Sequence, residues 1–145
     1  MRLSAGVVTV MGIVAVSFVA ADSKELMSAQ QDQMIWKAFE LSDLEAERRE
    51  SGRPWLEFLR VESMFAGVYV LEAGAEDRQQ PHDEDELYYV VRGRGVIRVE
   101  GGDTSVGPGS LVYVKAGAEH RFHSIEEDLV VVVFFARQTK ADEGG

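Results

Sequence analysis

The chain has 145 residues, 46% of them hydrophobic and 28% charged, enough for one ordinary globular domain with its own core. Fifteen Lys and Arg against 25 Asp and Glu leave a formal charge of −10, so no nucleic-acid partner is expected and adhesion to anionic membranes is disfavoured. The absence of Cys excludes disulfides, thiolate nucleophiles, Fe–S clusters and Cys-ligated zinc; any metal site must draw on His82, His120 and His123 plus oxygen ligands.

After Arg2 an uncharged stretch runs from Leu3 to Ala21 and ends in Val19-Ala20-Ala21, a small-residue pattern that reads as a signal peptide cleaved after Ala21. That reading makes the protein secreted or periplasmic. Two others stand beside it. Residues 3–21, if retained, approach the roughly 18 apolar residues of a membrane anchor, although Gly6, Thr9, Gly12 and Ser17 dilute the run. A start at Met27 would leave a cytoplasmic protein. Residues 22–54 read as an N-terminal extension: a polar, Gln-rich tether, a short strand over Ile35–Leu41, then a short helix. The helix is signalled by Ser42-Asp43-Leu44-Glu45, a hydroxyl and a carboxylate at capping-box spacing, and ends at Ser51-Gly52-Arg53-Pro54.

From residue 55 to 137 the chain is all-β in character. Trp55–Glu62, Phe65–Glu72, Leu87–Arg92, Val96–Glu100, Leu111–Val114, Arg121–Ile125 and Leu129–Ala136 are rich in β-branched and aromatic residues. Glycine-bearing turns separate most of them, around Gly74, Gly93, Gly101, Gly107 and Gly117. Short strands at this spacing predict a sandwich or barrel. Leu129–Phe135 is continuously apolar, as expected of a strand buried on both faces or lying in an oligomer interface. Residues 138–145 read as a flexible tail.

The chemistry concentrates in two stretches. In an extended chain Gln80, His82 and Glu86 share one face, and a folded-over barrel brings His120 from a later strand to the same interior. Imidazole nitrogen and carboxylate oxygen suit a first-row divalent ion, and two His plus one carboxylate is an open coordination set. Asp83-Glu84-Asp85 reads as a solvated loop, and Arg92, Arg94 and Arg98 as surface charges on a hairpin. His123 has the opposite strand parity to His120 and should face away from the pocket. Tyr88 and Phe122, two residues beyond Glu86 and His120, are pocket candidates that could equally fill the core.

The spacing Gly74-x5-Gln80-x-His82-x3-Glu86-x6-Gly93, with Gly109-x5-Lys115-x-Gly117-x2-His120-x3-Ser124, resembles the two motifs of the cupin superfamily. The resemblance covers roughly residues 55–136. It implies a double-stranded β-helix, or jelly-roll barrel, preceded here by the short helical segment. It also implies metal ligation by His82, Glu86 and His120, with Gln80 standing where the family has its first His. Lys115 and Ser124 replace the motif proline and asparagine without touching a ligand. A set with open positions favours Fe, Mn or Ni, with Zn possible. The expected function is a metal-dependent oxygenase acting on a small organic substrate, although the family also hosts isomerases and lyases. The alternative is a non-catalytic small-molecule-binding or structural cupin with a weakened metal site. A homodimer is expected, since dimers are common in the family.

Overall fold

A computed structural model of the protein describes residues 34–137. The expected signal peptide, most of the polar tether and the C-terminal tail lie outside the described residues. No helix among the described residues is long and apolar enough to cross a membrane.

Two N-terminal expectations are corrected. Residues 34–40 form no strand; Ile35 and Trp36 stand almost fully exposed, and Phe39 makes an edge contact with the Phe58 ring at 4.9 Å. A short apolar segment makes a strand only where a sheet edge receives it. Helix α1 (Leu41–Ser51) starts one residue ahead of Ser42, with Glu40 at its N-cap and no side-chain capping bond. The carboxylate expected to close the capping box is used elsewhere: Glu45 is buried and receives both terminal nitrogens of Arg92, at 2.7 and 2.9 Å. This fork-shaped ion pair joins the helix to the barrel. Gly52, with φ +67°, ends the helix and returns its amide to the Arg49 carbonyl.

Six strands follow: β1 (Trp55–Arg60), β2 (Met64–Leu71), β3 (Asp85–Val99), β4 (Gly102–Val106), β5 (Leu111–Val114) and β6 (His120–Ala136). All pair antiparallel, in the order β1-β2-β6-β3-β4, with β5 against β3. Four segments expected as separate strands are thus halves of two long ones, and β4 is a strand that the sequence reading leaves as a turn. The first half of β3 lies between β5 and the end of β6; its second half lies between β4 and the start of β6. The β3–β6 register breaks repeatedly between Val90 and Val96. At that corner Gly93 has φ +89°, and a side chain there would run into the backbone of Asp128 and Leu129. The corner folds the sheet over a core that includes Leu71, Tyr88, Val90, Ile97, Phe122, Leu129, Val131, Val133 and Phe135.

The apolar run of β6 follows from its place between β2 and β3. Leu129, Val131, Val133 and Phe135 face the core, while Val132 and Phe134 face outward and Val130, on their side of the strand, is fully buried. The outward residues continue across the sheet in register: Phe134 beside Leu87 beside Tyr113, and Val132 beside Tyr89 beside Leu111. Leu111 and Tyr113 are 65% and 61% exposed.

Candidate metal centre

His82 lies in the loop entering β3, Glu86 is the second residue of β3, and His120 is the first of β6. The turn between β5 and β6 fastens these elements together. Gly117, at φ +78°, donates its amide to the His82 carbonyl at 2.6 Å, and Ala116 donates to Asp85 Oδ1 at 2.9 Å. The glycine of the second motif therefore holds the histidine of the first. Asp85, expected in a solvated loop, is a structural acceptor at the start of β3.

One ligand atom from each of His82, Glu86 and His120 falls within 4.8 Å of the others. His82 Nε2 is 3.2 Å from Glu86 Oε1, and His120 Nε2 is 3.4 Å from Glu86 Oε2. Glu86 and His120 are only 2% and 4% exposed, whereas His82 reaches the surface of a cavity. Burying a carboxylate is costly unless charge or hydrogen bonds compensate, yet Glu86 Oε2 and His120 Nε2 have no hydrogen-bond partner. Burial acts to lower the His120 pKa, but the Glu86 carboxylate and the Ala118 carbonyl outweigh it, and the net shift is upward. The site attracts positive charge.

Gln80 does not join the three. Its side chain is exposed and donates to the Gln79 carbonyl at 3.1 Å. The two-residue alternation that aligned Gln80 with His82 requires a strand, and residues 75–82 form none. Gln79 turns inward instead. Its Nε2 donates to Asp77 Oδ2 at 2.7 Å, and its Oε1 accepts the Tyr88 hydroxyl at 3.0 Å. Asp77 is itself buried, accepting the Tyr69 hydroxyl at 2.7 Å and the Phe122 amide at 2.7 Å. Sequence reasoning missed Asp77 and Gln79, which lie in a loop with neither periodicity nor a motif position. Burial foremost holds the Tyr69 and Tyr88 hydroxyls far above the ordinary phenol range, so both remain proton donors.

Tyr88 and Phe122 are fully buried, their rings meeting edge-on at 5.3 Å behind the centre. They support the site and do not line the cavity beside it. That cavity, of about 770 Å³, has Trp55, Phe65, Tyr69 and Phe135 among its walls and reaches His82 and Gln79. His123 lies across the sheet on a half-exposed surface, 3.1 Å from Asp103, which also receives a bidentate bond from Arg98.

Residues 67–135, a span containing His82, Glu86 and His120, match the cupin domain family. The chain belongs to the cupin superfamily. This cupin is 51% identical over 100 residues to an uncharacterized protein of Streptomyces coelicolor, a match covering 69% of the chain and 95% of the relative. Among solved structures, TT1209 from Thermus thermophilus aligns with a TM-score of 0.57 at 23% identity, over 70% of this chain and 97% of that one. The cupin domain of Schizosaccharomyces pombe Cnp3 aligns at 0.54 and 18% identity, over 58% and 64%. DMSP lyase DddQ from Ruegeria pomeroyi aligns at 0.53 and 18%, over 63% of this chain and 51% of the lyase. At these identities the solved structures establish a shared fold.

Proposed function

We propose that this cupin binds a divalent metal ion through His82, Glu86 and His120 and acts as an oxygenase on a small organic molecule held in the adjoining cavity. The observation that carries the reading is the unsatisfied pair Glu86 Oε2 and His120 Nε2, two buried atoms facing each other beside His82. A cation between them would offset the desolvation of both. With Gln80 outside, the donor set is two imidazoles and one carboxylate, which leaves several positions free on a six-coordinate ion and suits Fe(II), with Mn or Ni as alternatives. Such an ion supplies Lewis acidity toward a substrate oxygen and a place for O₂. The chain's own groups do the rest. Ala118 orients the His120 ring, Glu86 contributes the compensating charge, and the Asp77–Gln79–Tyr88 bonds hold the wall behind Glu86.

A second reading, a small-molecule binder without catalysis, is favoured by the cavity rim. Glu57 and Glu76 are tied to Arg60 and Arg78 and are poorly placed to act as bases. Reconstitution under anaerobic conditions with Fe(II), Mn(II), Ni(II) or Zn(II), followed by metal analysis, tests the centre. Stoichiometric metal in the wild type, lost in Glu86→Gln and His120→Ala, is expected; a wild type that retains none of the four ions overturns it. Oxygen uptake by the Fe(II) form with a panel of small organic substrates then separates oxygenase from binder.

We also infer that two copies pair through the outward rows of β3, β5 and β6. These rows put large apolar side chains side by side on the surface of a strongly acidic chain, where an isologous contact would cover them.

A further inference from the structure

Trp55 lies across Gly67 of the neighbouring strand. A Cβ on Gly67 would overlap the six-membered ring of the indole and press on the Leu56 carbonyl. The register pairs Trp55 with Tyr69 and Glu57 with Gly67, so the indole leans along β2 from its own partner into space that any other residue would fill. From there it meets Phe135 edge-on at 5.8 Å and Tyr69 at 6.5 Å. Phe135 in turn stacks on Phe65 at 4.3 Å and takes the edge of His82 at 5.6 Å. A continuous set of ring contacts thus runs from Trp55 at the cavity wall to a candidate metal ligand.

The charges around the cavity balance. Arg48, Arg60 and Arg78 line it with Glu57, Glu72 and Glu76, and the Arg60–Glu57 and Arg78–Glu76 pairs are formed. An ionic ligand gains little net attraction here, whereas an apolar ring gains burial and the edge-to-face or offset geometry that aromatic walls prefer.

We propose that Trp55, seated in the notch left by Gly67, is the specificity-determining wall of the cavity and selects a flat, uncharged ring compound whose oxygen donor points toward His82, Glu86 and His120. The direction of the oxygen rests on the proposed metal centre; the preference for a flat ring does not. Calorimetric titration with phenol and with cyclohexanol, a puckered ring of like size, tests the preference in chelator-treated and metal-loaded protein. Phenol binds about tenfold more tightly than cyclohexanol, the size of one favourable aromatic contact. Trp55→Leu abolishes that ratio, Trp55→Phe restores most of it, and Gly67→Ala, which forces the indole outward, weakens both ligands. Equal affinities in the wild type, or a ratio unchanged in Trp55→Leu, overturn the proposal. If Trp55→Leu does not fold, the wild-type ratio and Trp55→Phe still decide. A preference present in both forms with no gain on metal loading leaves the wall standing and counts against the metal centre. Metal uptake without a preference does the reverse.

Discussion

His120 Nδ1 donates to the carbonyl oxygen of Ala118 at 2.8 Å, and this bond decides what the other ring nitrogen can do. A carbonyl only accepts, so Nδ1 carries a proton, and in the neutral ring Nε2 presents its lone pair. That lone pair faces Glu86 Oε2 across 3.4 Å. Two electron-rich atoms at that distance are a ready place for a cation. Ligand linkage makes the consequence measurable: free metal at a hundred times its dissociation constant stabilises the fold by about 2.7 kcal/mol. For a domain of this size that raises Tm by about ten degrees or more. Scanning calorimetry should show the rise with Fe(II), Mn(II) or Ni(II), its reversal by chelator and its absence in Glu86→Gln. A Tm indifferent to every ion would count against the centre.

Asp77 supports the interior without touching the proposed ion. It binds the Tyr69 hydroxyl, the Gln79 side chain and the Phe122 amide. Asp77→Ala strands four donors at once, the Gln79 backbone amide included, and hydrogen bonds to a charged acceptor contribute about 1.5–3 kcal/mol each, without full additivity. Urea unfolding should show a loss of about 3–4 kcal/mol, against less than about 0.5 kcal/mol for exposed Asp83→Ala.

Gly93 and Gly101 separate two costs of a glycine replacement. Both have positive φ, +89° and +82°, but only Gly93 has backbone atoms in the path of a Cβ. Gly101→Ala should cost about 1 kcal/mol of conformational strain. Gly93→Ala must also separate β3 from β6 at the corner, and its loss should exceed the other by about 2 kcal/mol or more. Equal losses in denaturant titration would mean that the corner yields easily.

Pairing of two copies is checked on the outward face. Tyr113→Glu places a charge among Leu87, Phe134 and their neighbours. Light scattering should find a dimer in the wild type and a monomer in this variant, with unchanged far-ultraviolet circular dichroism. A monomeric wild type at micromolar concentration rejects the contact.

The barrel was legible because its strands carry their own residue types and glycine turns, and His82, Glu86 and His120 because motif spacing fixes them relative to those strands. What escaped has a common physical origin. Gln80 and Gln79 are adjacent amides in a loop; Gln79 turns inward onto Asp77, which is anchored to the Phe122 amide forty-five residues away. Ser42 and Glu45 have the local pattern of a cap, but a partner forty-seven residues away, Arg92, takes the carboxylate. Ile35 and Trp36 open a segment of strand-forming residue types that has no sheet edge to join. Gly93 reads as a turn between two strands because its effect, bending one strand without ending it, depends on β6 passing beside it. Local chemistry is read locally; these outcomes are settled by distant partners.

The position of β6 between β2 and β3 orders events during synthesis. At ribosomal speeds roughly several seconds separate the emergence of β2 from that of β6. Until then the edge that will receive β6 remains open along Met64–Leu71, and most of the inner row of β3 has no opposite number. His120 arrives at the head of the same strand. The third member of the His82, Glu86 and His120 cluster is therefore added only in the same late step that closes the barrel.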